Sequence, residues 1–162
     1  MKKLTIIFTL LIIGLTAQIG VGQTTNKDKE TLIKIVRLLE EKPFDENAKK
    51  YREWGFLYVA ETKDVSVKVC TDTIKPVMDK KFKYNTELMI HHSLAMAAFK
   101  LENPSKADDE AAAQLAGLES ALKSYEAMIK EKPKAKFAAL DELVEKRNKN
   151  ELAAYIAANN CK

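Results

Sequence analysis

Leu32, Ile35, Val36 and Leu39 fall three and four residues apart, which predicts an amphipathic helix over 28–42, stopped by Pro43. Asp45 can cap a second helix over 46–61, where Ala48, Tyr51, Gly55 and Tyr58 share a face that Trp54 and Leu57 widen. Residues 64–81 carry two periods at once. Val65, Val67 and Val69 alternate like a strand, while Val67, Cys70, Ile74 and Val77 repeat like a helix. Asp64 as an N-cap tips this segment toward a helix kinked at Pro76, with a strand followed by a helix as the alternative.

Over 86–101, Leu88, Ile90, Leu94, Ala95, Ala97, Ala98, Phe99 and Leu101 cover most of the helical circumference, the mark of a central helix. Asn103, Pro104 and Ser105 then supply a turn and a cap, and Asp108, Asp109 and Glu110 suit the first turn of the next helix. Ala111, Leu115, Leu118, Leu122, Tyr125 and Ile129 continue as an unbroken stripe, with Glu119–Lys123 and Glu126–Lys130 pairs expected on the outer face. Beyond Pro133, Phe137, Leu140, Leu143 and Val144 mark a further helix that breaks near Asn148 to Asn150. A short last one carries Leu152, Tyr155 and Ile156 toward Cys161. The fold class expected is all-α: six or seven antiparallel helices, as stacked helical hairpins or a compact bundle.

The first residues read differently. Lys2 and Lys3, an apolar run from Leu4 to Leu15 and the small Gly20 and Gly22 form the charged, apolar and cleavable parts of a secretory signal, with a cut expected before Gln23. The expected division is a signal peptide over 1–22 and a single helical domain over 23–162, with no stable membrane insertion after cleavage. An exported chain meets an oxidising compartment, so the only two cysteines, Cys70 and Cys161, are expected to be joined. With the two leader lysines gone, the formal charge of +4 falls to +2, too balanced for the one-sided basic field of a nucleic-acid binder.

Two fragments resemble tetratricopeptide-repeat helices. Tyr51, Trp54, Gly55 and Tyr58 stand at the spacing of the first helix of a repeat, and Ala121, Tyr125 and Met128 followed by Pro133 are similar to the second helix and its terminating proline. They lie far apart and do not form one repeat, and after Tyr58 the chain has Val67, Thr71 and Asp79 where that family has alanine, an aromatic and proline. The resemblance implies helical-hairpin stacking and a binding scaffold without catalysis.

Candidate chemistry is sparse. His91 and His92 are the only histidines; Glu87 stands one turn before His91 and could share a metal with it, but a closed site needs further ligands that the sequence does not single out. A hydrolytic triad would draw on Ser93 or Ser120 with one of these histidines, yet there is no nucleophile elbow, and no glycine-rich phosphate loop either. Lys80, Lys81 and Lys83, and again Lys130, Lys132, Lys134 and Lys136, cluster near helix ends. Capping and solvation account for them there, with anionic lipid or polysaccharide as the other use. The functional expectation is an exported, non-catalytic interaction protein of the periplasm or exterior that needs no cofactor or metal and binds an envelope or extracellular macromolecule. Tyr51, Trp54, Tyr58, Glu119 and Lys123 are its candidate partner surface. A small-ligand- or metal-binding protein using the His91/His92 helix is the alternative.

Overall fold

The amphipathic segments condense into six α-helices in the computed structural model, which describes residues 26–159 and 161: α1 (Asn26–Glu41), α2 (Ala48–Glu61), α3 (Asn85–Glu102), α4 (Glu110–Glu131), α5 (Ala138–Asn148) and α6 (Leu152–Ala158). The signal peptide read over 1–22 lies outside the described residues. Among those described there is no strand, and no helix is long and apolar enough to cross a membrane.

The centre is the α3–α4 pair, as the all-round apolarity of α3 requires. α1 lies against both, α2 against α3 and α1, and α5 and α6 against α4. Two larger side-chain clusters fill most of the space, beside a smaller one around Ile35, Leu39 and Ala48. Leu32, Val36, Tyr58, Leu94 and Ala97 join α1, α2 and α3, while Phe82, Leu118, Leu122, Tyr125, Leu140 and Ile156 join α4 to its C-terminal neighbours. Tyr125 is the hub of the second cluster. Its ring is fully buried with Phe82 edge-on at 5.8 Å; its hydroxyl donates to Asp141 Oδ1 at 2.7 Å and accepts from the Phe137 amide at 2.8 Å. One residue thus fixes the entry of α5.

Gly117 lets α3 and α4 approach. A Cβ there would meet Met96 Cγ at 2.6 Å and both Nε2 and the carbonyl of His92 at 3.0 Å. Alanine would gain up to about 1 kcal/mol in helix propensity, but overpacking against backbone costs about 1–3 kcal/mol, so Gly117→Ala is expected to be destabilising. A urea unfolding curve checks the sign: an unchanged or raised midpoint would show that the helix pair can yield.

The reading of 64–81 as a helix is corrected. Residues 65–70 form an extended strap and 71–78 a series of turns, with isolated Ile74→Cys70 and Met78→Ile74 backbone bonds. Val65, Val67 and Val69 do alternate, the first buried and the other two half-buried, but no second strand pairs with them. Side chains satisfy the backbone instead. The Lys100 ammonium donates to the Ser66 carbonyl at 2.9 Å, and the Gln114 amide to that of Lys68 at 2.6 Å. Lys100 is itself buried and ion-paired with Glu110 at 2.5 Å. Polar groups on the inner faces of α3 and α4 have taken the carbonyls that a helix would have used.

Smaller boundaries also shift. Pro104–Lys106 make a single 3-10 turn, and Asp109, whose carboxylate accepts from the Ala112 amide at 2.9 Å, caps α4. Asp45 accepts from the Asn47 amide at 2.9 Å in a turn that precedes α2 rather than capping it. Asn150 adopts φ 59°, the left-handed conformation that closes α5, with Glu151 N–H reaching back to the Lys146 carbonyl.

Candidate functional site

His91 and His92 sit at the middle of α3 with no exposed surface. His91 Nε2 and the Ser120 hydroxyl are 2.9 Å apart, so the structure does bring together one of the serine–histidine pairs the sequence offered; Ser93 instead donates to the Met89 carbonyl. The pair is not arranged for catalysis. His91 Nδ1 has no hydrogen-bond partner, so no carboxylate orients the ring. Burial, followed by the charges of Arg52 and the neighbouring His92, pushes the His91 pKa down to about 3, which leaves a poor base. The adjoining dent that reaches Ser120 holds only about 50 Å³.

His92 is likewise held neutral, its pKa lowered by burial to about 4, and neither ring nitrogen has a protein partner. Glu87, one turn from His91, lies instead at the wall of a cleft, where its charge acts on Arg52. Among the described residues no group of three or more His, Cys, Asp or Glu side chains converges as a metal site would require.

Of the candidate partner surface, Tyr58 is buried and stacks on the half-buried Trp54 at 5.4 Å, and Tyr51 is half-buried against the cluster around Leu39. The most exposed of the large apolar groups are Phe56 and Leu57, each 55 % exposed, ahead of Met78; Leu57 therefore does not widen the buried face as its position suggested. On α4, Glu119 is half-buried and Lys123 exposed, but Lys123 reaches Glu40 of α1 at 3.6 Å. Glu126 is gripped by both terminal nitrogens of Arg147 at 2.8 and 2.9 Å. The expected pairs along α4 are thus replaced by bonds that tie it to α1 and α5.

Sequence reading missed a pair of neighbouring clefts. The first, of about 570 Å³, runs between α2 and the start of α3, with Lys49, Arg52, Glu53 and Phe56 on one wall and Thr86, Glu87 and Ile90 on the other. The second, of about 390 Å³, is bounded by Tyr84 and by Lys132, Pro133 and Lys134 in the turn after α4. Lys83 lines both, so two lysine clusters far apart in sequence meet at one surface. Tyr84 gives the second cleft an aromatic wall. Phe44 and Tyr84 meet edge to face at 4.8 Å, and the Lys132 ammonium lies 3.3 Å from the Phe44 centroid.

Arg52 is the unusual member. Only 6 % exposed, it donates to the Pro43 carbonyl at 2.7 Å, while its Nε has no partner. Burial pushes its pKa down, against the nearby Glu87 charge. The sequence held one signal for it. Ala48, Arg52 and Gly55 fall four and three apart, which puts a guanidinium on the buried face of α2. Compared with known proteins, the chain matches no family model, no curated protein and no solved structure.

Proposed function

We propose that the protein is an exported, non-catalytic interaction module that binds another macromolecule at the α2 side of its helical body. The observation that carries this reading is the contrast between its two polar centres. The histidine–serine pair is buried and lacks an orienting acid, whereas the α2–α3 cleft is open and bordered by the exposed Phe56, with the exposed Leu57 next to it in sequence. Large apolar side chains beside an open cleft are a recurring feature of protein-binding surfaces. The tetratricopeptide-like spacing in α2 and α4 agrees in kind, because helices stacked through small residues leave grooves that serve as recognition surfaces. A disulfide between Cys70 and Cys161 suits export, and the order of residues 1–22 supplies the leader.

The alternative, a ligand or metal held by His91 and His92, has less support, since both imidazoles are wholly buried. The test is capture from envelope extract by the mature protein and by a Phe56→Glu/Leu57→Glu variant. Both positions are exposed, so the variant's stability is expected to stay within about 0.5 kcal/mol of the parent while capture is lost. Retention of no macromolecule by the parent, with a co-purifying small molecule or measurable turnover, overturns the reading.

A further inference from the structure

We infer that the two neighbouring clefts bind an extended, acidic segment of a protein partner, with carboxylates against the lysines that line them and a large apolar side chain against Phe56 and Ile90. This rests on the proposed role in binding a macromolecule and specifies what is bound.

Charge is the first argument. Five cations face the clefts, from Lys49, Arg52, Lys83, Lys132 and Lys134, against the two acids Glu53 and Glu87. Glu53 pairs with Lys49 at 3.8 Å and the Glu87 charge acts on Arg52, so these four groups largely offset one another. Lys83, Lys132 and Lys134 face their clefts with no carboxylate of the described residues within ion-pair distance. Three ammonium groups without a carboxylate partner, lining two neighbouring clefts, raise the local concentration of anions.

Arg52 is the second and independent argument. A guanidinium more than nine-tenths buried is ordinarily saturated by hydrogen bonds, yet this one lines the cleft with its Nε unpartnered. A planar guanidinium matches a carboxylate through two parallel N–H···O bonds, so a guanidinium in the wall of the cleft suits a carboxylate ligand.

Shape and apolar surface decide the source of the anion. A lipid headgroup layer is met by a flat or convex basic face, whereas these charges lie in a recess. A sugar ring stacks on a free aromatic face, but Lys132 already covers Phe44, and Lys83 and Lys132 stand 5.5 and 5.7 Å over Tyr84. At the α2 end, Phe56 offers apolar surface that neither phosphate nor a polyanionic sugar would use. A peptide that alternates acids with an apolar residue satisfies both ends.

The experiment measures fluorescence anisotropy of a labelled, unstructured aspartate-rich peptide containing one leucine, titrated with the mature protein. The controls are the same peptide with lysine for aspartate, a sulfated oligosaccharide, and vesicles of phosphatidylglycerol and phosphatidylcholine. The acidic peptide is expected to bind, more weakly as salt rises, and roughly tenfold less tightly to Lys83→Glu/Lys134→Glu. Replacing its leucine by serine should weaken binding to the parent but not to Phe56→Ser. Lys63→Glu/Lys75→Glu makes the same charge change at exposed positions outside the clefts and should leave affinity within about twofold. Thermal melts establish that each variant is folded. No binding of the acidic peptide, equal losses in the two double variants, or tighter binding of the oligosaccharide or vesicles overturns the inference. Should Lys83→Glu/Lys134→Glu still capture the envelope partner as the parent does, the acidic-segment inference fails while the interaction role stands.

Discussion

Acidification from pH 7.5 to pH 5 is expected to remove about 4 kcal/mol of folding stability through two side chains, His91 and His92. In the native state their pKa values lie at about 3 and about 4, against an ordinary 6.5. Burial is the main cause at both. At His91 the charges of Arg52 and His92 add to it, and the contact with Ser120 opposes it. Between pH 6.5 and those lowered values the unfolded chain binds protons that the native chain refuses, so stability falls as pH falls. The contribution is intact above the unfolded pKa. Below it, each histidine costs about 1.4 kcal/mol per pH unit, or about 2 kcal/mol at pH 5, and the loss levels off only once the native pKa is passed.

Urea unfolding at pH 7.5, 6 and 5 measures the slope, and His92→Met separates the two contributions. Methionine removes one titration without breaking a hydrogen bond, because neither nitrogen of His92 has a partner in the protein. It is expected to reduce the loss at pH 5 by about half, whatever its effect at neutral pH. A stability profile flat from pH 7.5 to 5 would mean that the α3–α4 interface admits the charged ring. The pair thus makes the fold sensitive to acid, a consequence of packing that requires no catalytic role.

The helices were legible in the sequence where the period was unambiguous. The stripe of Leu32, Ile35, Val36 and Leu39, the all-round apolarity of 86–101 and the long run from Ala111 to Ile129 each admit one regular structure, and α1, α3 and α4 follow. The strap at 65–70 was not, because its conformation is decided by Lys100 and Gln114 on other elements, and a local period cannot report a long-range donor. The ion pairs failed for a related reason. Glu126 had Lys130 at helical spacing, but Arg147 offered two aligned donors from α5, and bidentate geometry outranks an exposed pair within one helix. The clefts belong to the same class. Lys83 and Lys132 each looked like helix-end solvation, and only the fold shows that they face one recess. Arg52 on a buried face was the one residue whose misfit could have been seen beforehand.

Reducing the Cys70–Cys161 bond is expected to cost about 4–5 kcal/mol, since it closes a loop of about 90 residues whose release restores that entropy to the unfolded chain. The structure joins the two cysteines with Cα atoms 5.1 Å apart and a sequence separation of 91. The bond lies where the fold has little else to hold the C-terminus. α6 has seven residues, too few to persist as an isolated helix, and it anchors through Leu152 and Ile156. Two polar contacts assist: the Thr73 hydroxyl donates to the Asn159 carbonyl at 2.8 Å, and the Tyr155 hydroxyl to the Thr73 carbonyl at 3.1 Å. Both bind the turns after the strap to α6, so the disulfide, the turns and the last helix form one unit. Cys161→Ser is the cleaner probe, because Cys70 is buried and a hydroxyl there would add a desolvation cost of its own. The urea midpoint of the parent in reductant should fall to that of Cys161→Ser without reductant, and amide exchange should quicken first in α6 and in 70–78. The long loop puts this loss at the upper end of the range for single core truncations in the same chain, such as Leu118→Ala at about 2–5 kcal/mol. A midpoint that reductant leaves unchanged would mean that α6 stays docked by Leu152, Ile156 and the Thr73 contacts alone, and that the bond adds nothing the packing does not already supply.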